Sequence, residues 1–386
     1  MKYYYKIYGL TLESDYEFHQ FVKLEKIPDE GTDIRITYGG IRQNILSHIE
    51  QGHYVGFYAD GMWFKNQAGL FWIHDKTEIN FVEDEGKSIE DTAQFLPGMC
   101  LSILLWQRGN IVVHGSCLIW KGKTVVISGN NGAGKSTITT ELINAGAKLL
   151  ADDVTSVREE NGIYMSYPAF PAQKLCADQI DKNGLDKERL RLVKYDLNKY
   201  EVQRNDVFCA EEKKIDAFYR IEINETDRLL KGAVTGADKL KVVVDSIFIK
   251  WMFNEYFRVQ PEDLTRCIAL ANQIKIHRII RPRDKDTLKE IIEYIDESYN
   301  PEKLTGEPWE RWPPFDKSIP ITVSPGFTAY IVDPTAVFKG FISGNTAFIF
   351  PMTSASSPAR AASEAAGSMP ACLLSSSSLT SFALGT

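Results

Sequence analysis

Eight residues constrain this chain more than any others: Gly129-Asn130-Asn131-Gly132-Ala133-Gly134-Lys135-Ser136, followed by Thr137. They fit the pattern G-x-x-x-x-G-K-[ST], and the apolar run Thr124 to Ser128 leads straight into them. Behind them, Ser136 to Asn144 places Ile138, Leu142 and Ile143 on one side of a helix that ends at Gly146. A strand, a glycine-rich turn and a helix in this order let the backbone aim its N–H groups inward. The loop therefore predicts a cradle for phosphate oxygens with the positive end of the helix behind it. Lys135 is expected to reach the β and γ phosphates of a nucleotide, and the Ser136 hydroxyl to ligate Mg²⁺. Gly129 through Thr137 are accordingly read as the residues that bind ATP.

The chain then returns quickly. Leu149-Leu150-Ala151-Asp152-Asp153 follows, with Asp152 17 residues after Lys135. That spacing accommodates a helix of about nine residues and one short strand, which brings the aspartates back beside the loop. Adjacent carboxylates at a strand end point different ways, so one can face Mg²⁺ while the other faces an incoming hydroxyl as general base. Upstream, Ile111 to Trp120 and Thr124 to Ser128 are joined by Lys121-Gly122-Lys123 and read as an antiparallel hairpin with His114 at the centre of its first strand. A histidine in an apolar strand is either a satisfied core residue or a group aimed at a site, and the residues alone leave both open. No LSGGQ-like segment and no long apolar strand ending in Asp-Glu follows, which speaks against a transporter-type ATPase.

Taken together, His114-Gly115, the hairpin, the phosphate loop and Leu150-Ala151-Asp152-Asp153 resemble the catalytic domain of HPr kinase/phosphorylase, in order and in spacing. The resemblance is dense over about residues 111 to 157 and weaker to about residue 297. It implies an α/β fold similar to phosphoenolpyruvate carboxykinase, in which a P-loop domain is entered from an antiparallel hairpin and is preceded here by a small β-rich N-terminal domain. It also implies that Asp152 is the general base on a serine hydroxyl, that His114 lies near the transferring phosphoryl group, and that Ser136 and Asp153 hold Mg²⁺. The family commonly forms hexamers, so a homo-oligomer is implied as well. Two features of the family are missing: a Glu-x-Arg-Gly-like stretch and a later Arg- and Gly-rich loop ending in Arg-Asn. In their place stands Tyr167-Pro168-Ala169-Phe170-Pro171-Ala172-Gln173-Lys174-Leu175. With the opening Ile7-Tyr8-Gly9-Leu10, it looks more like the HPr-kinase-like proteins of ribosomal-peptide gene clusters. Among these are lasso peptide kinases that phosphorylate a precursor's C-terminal serine.

The expected activity is thus an ATP- and Mg²⁺-dependent kinase acting on a serine of a peptide or protein, with Asp152, His114 and Lys135 as its catalytic residues. A small-molecule or carboxykinase-like phosphoryl transferase and a non-catalytic ATP-binding scaffold are the rival readings. Lys174 reads as an exposed lysine in a proline-rich loop. The basic run Lys275-Ile276-His277-Arg278-Ile279-Ile280-Arg281-Pro282-Arg283 suits carboxylate or phosphate recognition but reads first as a solvated basic edge.

The rest of the chain sets the frame. At roughly 150 residues per domain, 386 residues suggest two or three units. Residues 1–87 alternate in short apolar runs, as a β-rich domain does; 88–110 read as one connecting helix; 111–300 form the catalytic domain; and 301–386 are an extension whose Ser/Ala-rich end is expected to be disordered. With 44 Lys plus Arg against 51 Asp plus Glu, the net charge of −7 argues against a nucleic-acid partner. Six scattered cysteines without a CxxC pair fit reduced thiols in the cytoplasm. No secretory leader and no membrane-spanning run is expected.

Overall fold

A computed structural model describes residues 1–26, 31–193, 199–250 and 260–298, together with the strands Thr328–Ile331, Val337–Ser343 and Thr346–Met352. The expected disorder after about Met352 lies outside the described residues. The chain divides into two compact units. The first comprises Met1–Gly232, Ser246–Ile249 and His277–Glu307, and it contains all the chemistry described below. In the second, the helices Asp238–Asp245 and Pro261–Gln273 pack on one another, and the late strands form a three-stranded sheet.

The N-terminal strands build one eight-stranded sheet. Tyr3–Ile7 turns back on Leu10–Ser14 through Tyr8 and Gly9, both in left-handed conformation at φ 51° and 74°. Alternation buries Leu10, Leu12 and Ser14 on one face. Four later strands, Val55–Tyr58, Gly61–Lys65, Gly69–His74 and Glu78–Glu83, run as an antiparallel meander over a core of Ile45, Trp63, Leu70 and Trp72.

The expected single helix over 88–110 is broken. Ile89–Ala93 forms a first helical turn behind a Ser88/Asp91 capping box, a π-helical turn runs from Leu96 to Cys100, and a second α-helix spans Leu101–Gln107. Pro97 explains the break: it donates no N–H, so a new helical start forms around it.

A second sheet of nine strands carries the site. Its path runs Lys213–Lys214, Ile163–Ser166, Val154–Glu160, Ile111–Trp120, Lys123–Gly129, Ala217–Asn224, Lys275–Pro282 and Leu230–Ala233, with Lys148–Ala151 also paired to Ile111–Trp120. The hairpin expected from sequence is present, with Lys123 opposite Trp120. Helices Lys135–Asn144 and Leu288–Glu297 cover one face through Ile138, Leu142, Ile291 and Ile295, which meet Leu118, Ile127 and Tyr219.

Two readings change here. The proline-rich segment is not a loop throughout, because Ala172–Cys176 is a strand in a separate three-stranded sheet with Lys199–Gln203 and Arg191–Val193. The basic run is no solvated edge either: Lys275–Pro282 lies inside the large sheet, with Ile276, Ile279 and Ile280 buried and Arg278 only 4% exposed. Its alternating apolar residues buried the strand, and its arginines found partners.

Candidate active site

Register assembles the acidic pair. Strand Lys148–Ala151 pairs with one half of Ile111–Trp120 and bulges at Leu150, ending with Ala151 opposite Cys117. Strand Val154–Glu160 resumes with Val154 opposite His114. Asp152 and Asp153 fill the gap between these strands, facing Ser116 and Gly115. The Gly115 N–H donates to the Asp153 carbonyl at 3.1 Å, and the Val154 N–H closes back on the Asp152 carbonyl at 2.7 Å. This tight path holds Asp153 at φ 65°, a left-handed conformation that aspartate tolerates better than most residues. The Tyr8 hydroxyl, from the N-terminal sheet, donates to the Val154 carbonyl at 3.2 Å.

The two carboxylates then meet different partners. The Ser116 hydroxyl donates to Asp152 Oδ1 at 2.6 Å, and the Lys174 backbone N–H donates to Oδ2 at 3.0 Å. Asp152 is 7% exposed, and burial pushes its carboxyl above the usual carboxylate range despite the Ser116 bond. Asp153 receives the Lys174 ammonium at 2.9 Å and lies 3.6 Å from His114 Nε2. Burial is the largest influence and opposes its ionisation too, but the Lys174 charge and hydrogen bond together with the His114 and Lys199 charges outweigh it and hold this carboxyl well below the usual range. Burial, followed by the Lys135 charge, lowers His114 to about 4, so its ring is uncharged at neutral pH and Lys174 is the cation in direct contact with Asp153.

The glycine-rich loop closes the other side. A Cβ on Gly129 would lie 2.2 Å from the Ile221 carbonyl, so only glycine fits there. Gly134 caps the ten-residue helix Lys135–Asn144 at φ 97°, which leaves the first amide N–H groups of that helix facing the loop. Lys135 Nζ donates to the Gly129 and Asn130 carbonyls at 2.8 and 3.1 Å, and burial brings its ammonium down to about 8. Such a loop suits an oxyanion: nothing acidic lies within Gly129–Thr137, Lys135 lies in it, and two arginines flank it. One is Arg220, whose Nη2 donates to Asn130 Oδ1 at 2.8 Å, and the other is Arg281, whose Nη1 donates to the Ala133 carbonyl at 3.4 Å. Ser136 and Asp153 offer hard oxygens for a magnesium ion. Among the described residues there is no group of three or more His, Cys, Asp or Glu side chains able to cage a metal without help from phosphate. One or two protein oxygens completed by phosphates is the usual Mg²⁺ arrangement, so the donor set fits.

Sequence reasoning missed part of this. Arg220 sits beside Ser128 because strand Ala217–Asn224 runs parallel to the strand that enters the loop. Glu222 bridges Arg220 and Arg278, at 3.2 and 2.7 Å. Lys174, read as exposed, binds both aspartates. Ser116, two residues beyond His114 in the same strand, gave no signal except its register to Asp152. Asn131, Gly132, Ala133 and Thr137 remain where the motif puts them, in the loop and the first turn of the helix.

The arrangement defines a class: a buried carboxylate able to take a proton, beside a loop able to hold phosphate, on an α/β sheet. Residues 108–174 match the family model for the HPr Serine kinase C-terminal domain, a span that includes His114, the loop and both aspartates. A curated HPr kinase/phosphorylase from Lachnoclostridium phytofermentans is 25% identical over 128 residues, covering 31% of this chain and 41% of the relative. The chain thus spans less than half the length of that relative. Both likenesses are to HPr kinases, and the family model confines its match to residues 108–174. Among solved structures, the Hpr(Ser) kinase/phosphatase from Coxiella burnetii aligns over 50% of this chain and 97% of that one, with a TM-score of 0.27 and 14% identity.

Proposed function

We propose that this chain is an ATP-dependent kinase that transfers the γ-phosphoryl group to a serine hydroxyl of a peptide or protein. The observation that carries the reading is Asp152: a buried carboxyl with a raised affinity for protons, oriented by Ser116 and by the Lys174 amide, at the mouth of a glycine-rich loop. In the transfer, the serine oxygen forms its bond to the γ phosphorus as the bond from that phosphorus to the β–γ bridging oxygen breaks. ADP leaves with that oxygen, and the serine proton passes to Asp152. Loop N–H groups and Lys135 hold the β and γ phosphates. His114, uncharged at neutral pH, offers a ring N–H to the moving phosphoryl group. Ser136 and Asp153 would hold Mg²⁺, which when bound neutralises charge developing on the phosphates.

The finer reading makes the acceptor a precursor peptide's C-terminal serine and the enzyme a cytoplasmic homo-oligomer. It assigns recruitment to residues 1–87, joined through 88–110 to a catalytic part at 111–300, with 301–386 as an extension. Among the described residues, no helix is long and apolar enough to cross a membrane. The test is incubation with γ-labelled ATP, Mg²⁺ and serine peptides, with label recovered as phosphoserine. Label on metabolites alone would favour a small-molecule kinase instead, and tight ATP binding without any acceptor would favour a scaffold.

A further inference from the structure

A groove of about 610 Å³, open mouth included, leads away from Asp152 and Asp153 on the side of the Ala172–Cys176 strand. Its two walls differ in chemistry. One is aromatic: Tyr16 and Phe18, from the segment after strand Leu10–Ser14, and Phe170 from the proline-rich stretch. Phe21 braces this wall, with its ring 4.5 Å from Phe18 and 5.0 Å from Phe170. The other wall is a charged row across the three-stranded sheet. Lys174 stands opposite Glu201, and Glu201 opposite Arg191, so all three side chains share one face of that sheet. Asp153, Lys174, Glu201 and Arg191 thus alternate in sign outward from the acidic pair. Lys174 is engaged by Asp153, whereas Arg191 is exposed at the outer end and makes no salt bridge among the described residues. Burial raises the Glu201 carboxyl while the Arg191 charge draws it back, so Glu201 stands between the two cations of the row.

Distance selects the occupant. Arg191 lies two strands from Lys174, about 10 Å at the usual strand spacing, and the Lys174 amide touches Asp152. An extended peptide covers that span in about three residues. We infer that the groove binds the acceptor as an extended peptide, with its serine at Asp152, a large apolar side chain against Phe170, and an acidic group about three residues from the serine on Arg191. This inference rests on the kinase reading for the serine but not for the groove.

The experiment pairs phosphoryl transfer with fluorescence anisotropy of labelled peptides, which detects binding without turnover. The peptides carry one serine, a neighbouring phenylalanine and an aspartate three residues before or after the serine; controls replace the aspartate with alanine or lysine. One of the two aspartate peptides should be favoured about tenfold or more over its alanine control. Arg191→Glu should abolish that preference and transfer it to the matching lysine peptide, while ATP affinity stays unchanged. Phe170→Ala should weaken binding of phenylalanine peptides several-fold and leave alanine-flanked peptides unaffected. Phosphoryl transfer that ignores both the aspartate and the Arg191→Glu change would overturn the groove assignment and leave the kinase reading intact. Arg191-dependent binding with no transfer to any serine would do the reverse. Neither binding nor transfer would remove both.

Discussion

The glycine-rich loop and the groove wall opposite it face the same two aspartates but are built in different ways. The loop is local: nine consecutive residues, most of them acting through backbone amides, carry its geometry. The wall is assembled from strands 172–176, 191–193 and 199–203 and from residues 16–18, which follow strand Leu10–Ser14 far off in the sequence, and it acts through side chains. A local device keeps its chemistry fixed because few substitutions leave a phosphate cradle standing. A wall pieced together from afar can change its side chains without disturbing the loop, so substrate choice belongs there and phosphate handling does not.

Substitutions can break that contrast. The largest effect is expected from Asp152→Asn, which removes the proton acceptor: transfer should fall about 10²- to 10⁴-fold with ATP affinity retained, as single-turnover kinetics and calorimetry would show. Parallel loss of ATP affinity would mean that the aspartate belongs to the loop's function. Next, Lys135→Ala should weaken ATP binding about tenfold or more by calorimetry, yet leave binding of acceptor peptides within twofold. If both affinities fall together, the two regions are one.

Ser116→Ala sharpens the division at a smaller scale. Its hydroxyl stabilises the charged form of Asp152, so its loss should raise that carboxyl further and move the acid limb of the transfer-rate profile to higher pH. A lower rate with an unmoved limb would reduce Ser116 to a packing residue.

The smallest effect concerns stability. His114 titrates near 4 in the folded protein against about 6.5 unfolded. Below 6.5 the unfolded chain takes up a proton that the folded chain refuses, so this residue makes stability fall as pH drops from 6.5 to 4. His114→Gln should flatten that part of a denaturation-midpoint profile, and an unchanged slope would show that the ring is already charged in the fold.

The same contrast explains what could be read from the sequence. Gly129 to Ser136, the hairpin before it and the return to Asp152 were legible because each is set by residues close in the chain: a glycine where no Cβ fits, a two-strand turn, a helix too short to wander. Lys174 was misread since its exposure depends on a strand pairing with Lys199–Gln203 that no local pattern announces. Arg278 found Glu222 only after the strands Ala217–Asn224 and Lys275–Pro282 became neighbours in the sheet, which periodicity cannot foretell. The break at Pro97 is hidden from the apolar pattern of 88–110, because a π turn keeps the buried residues on both sides of it in the core.

The left-handed backbone at Asp153 has an evolutionary consequence. Glycine and asparagine occupy that conformation as readily as aspartate, and a single nucleotide change in an aspartate codon reaches either. The ligand role proposed for this residue can therefore be lost in one mutational step while the turn keeps its shape. Under the kinase reading, a duplicated copy of this gene lies one substitution away from a form that keeps the loop and Asp152 but no longer holds the metal.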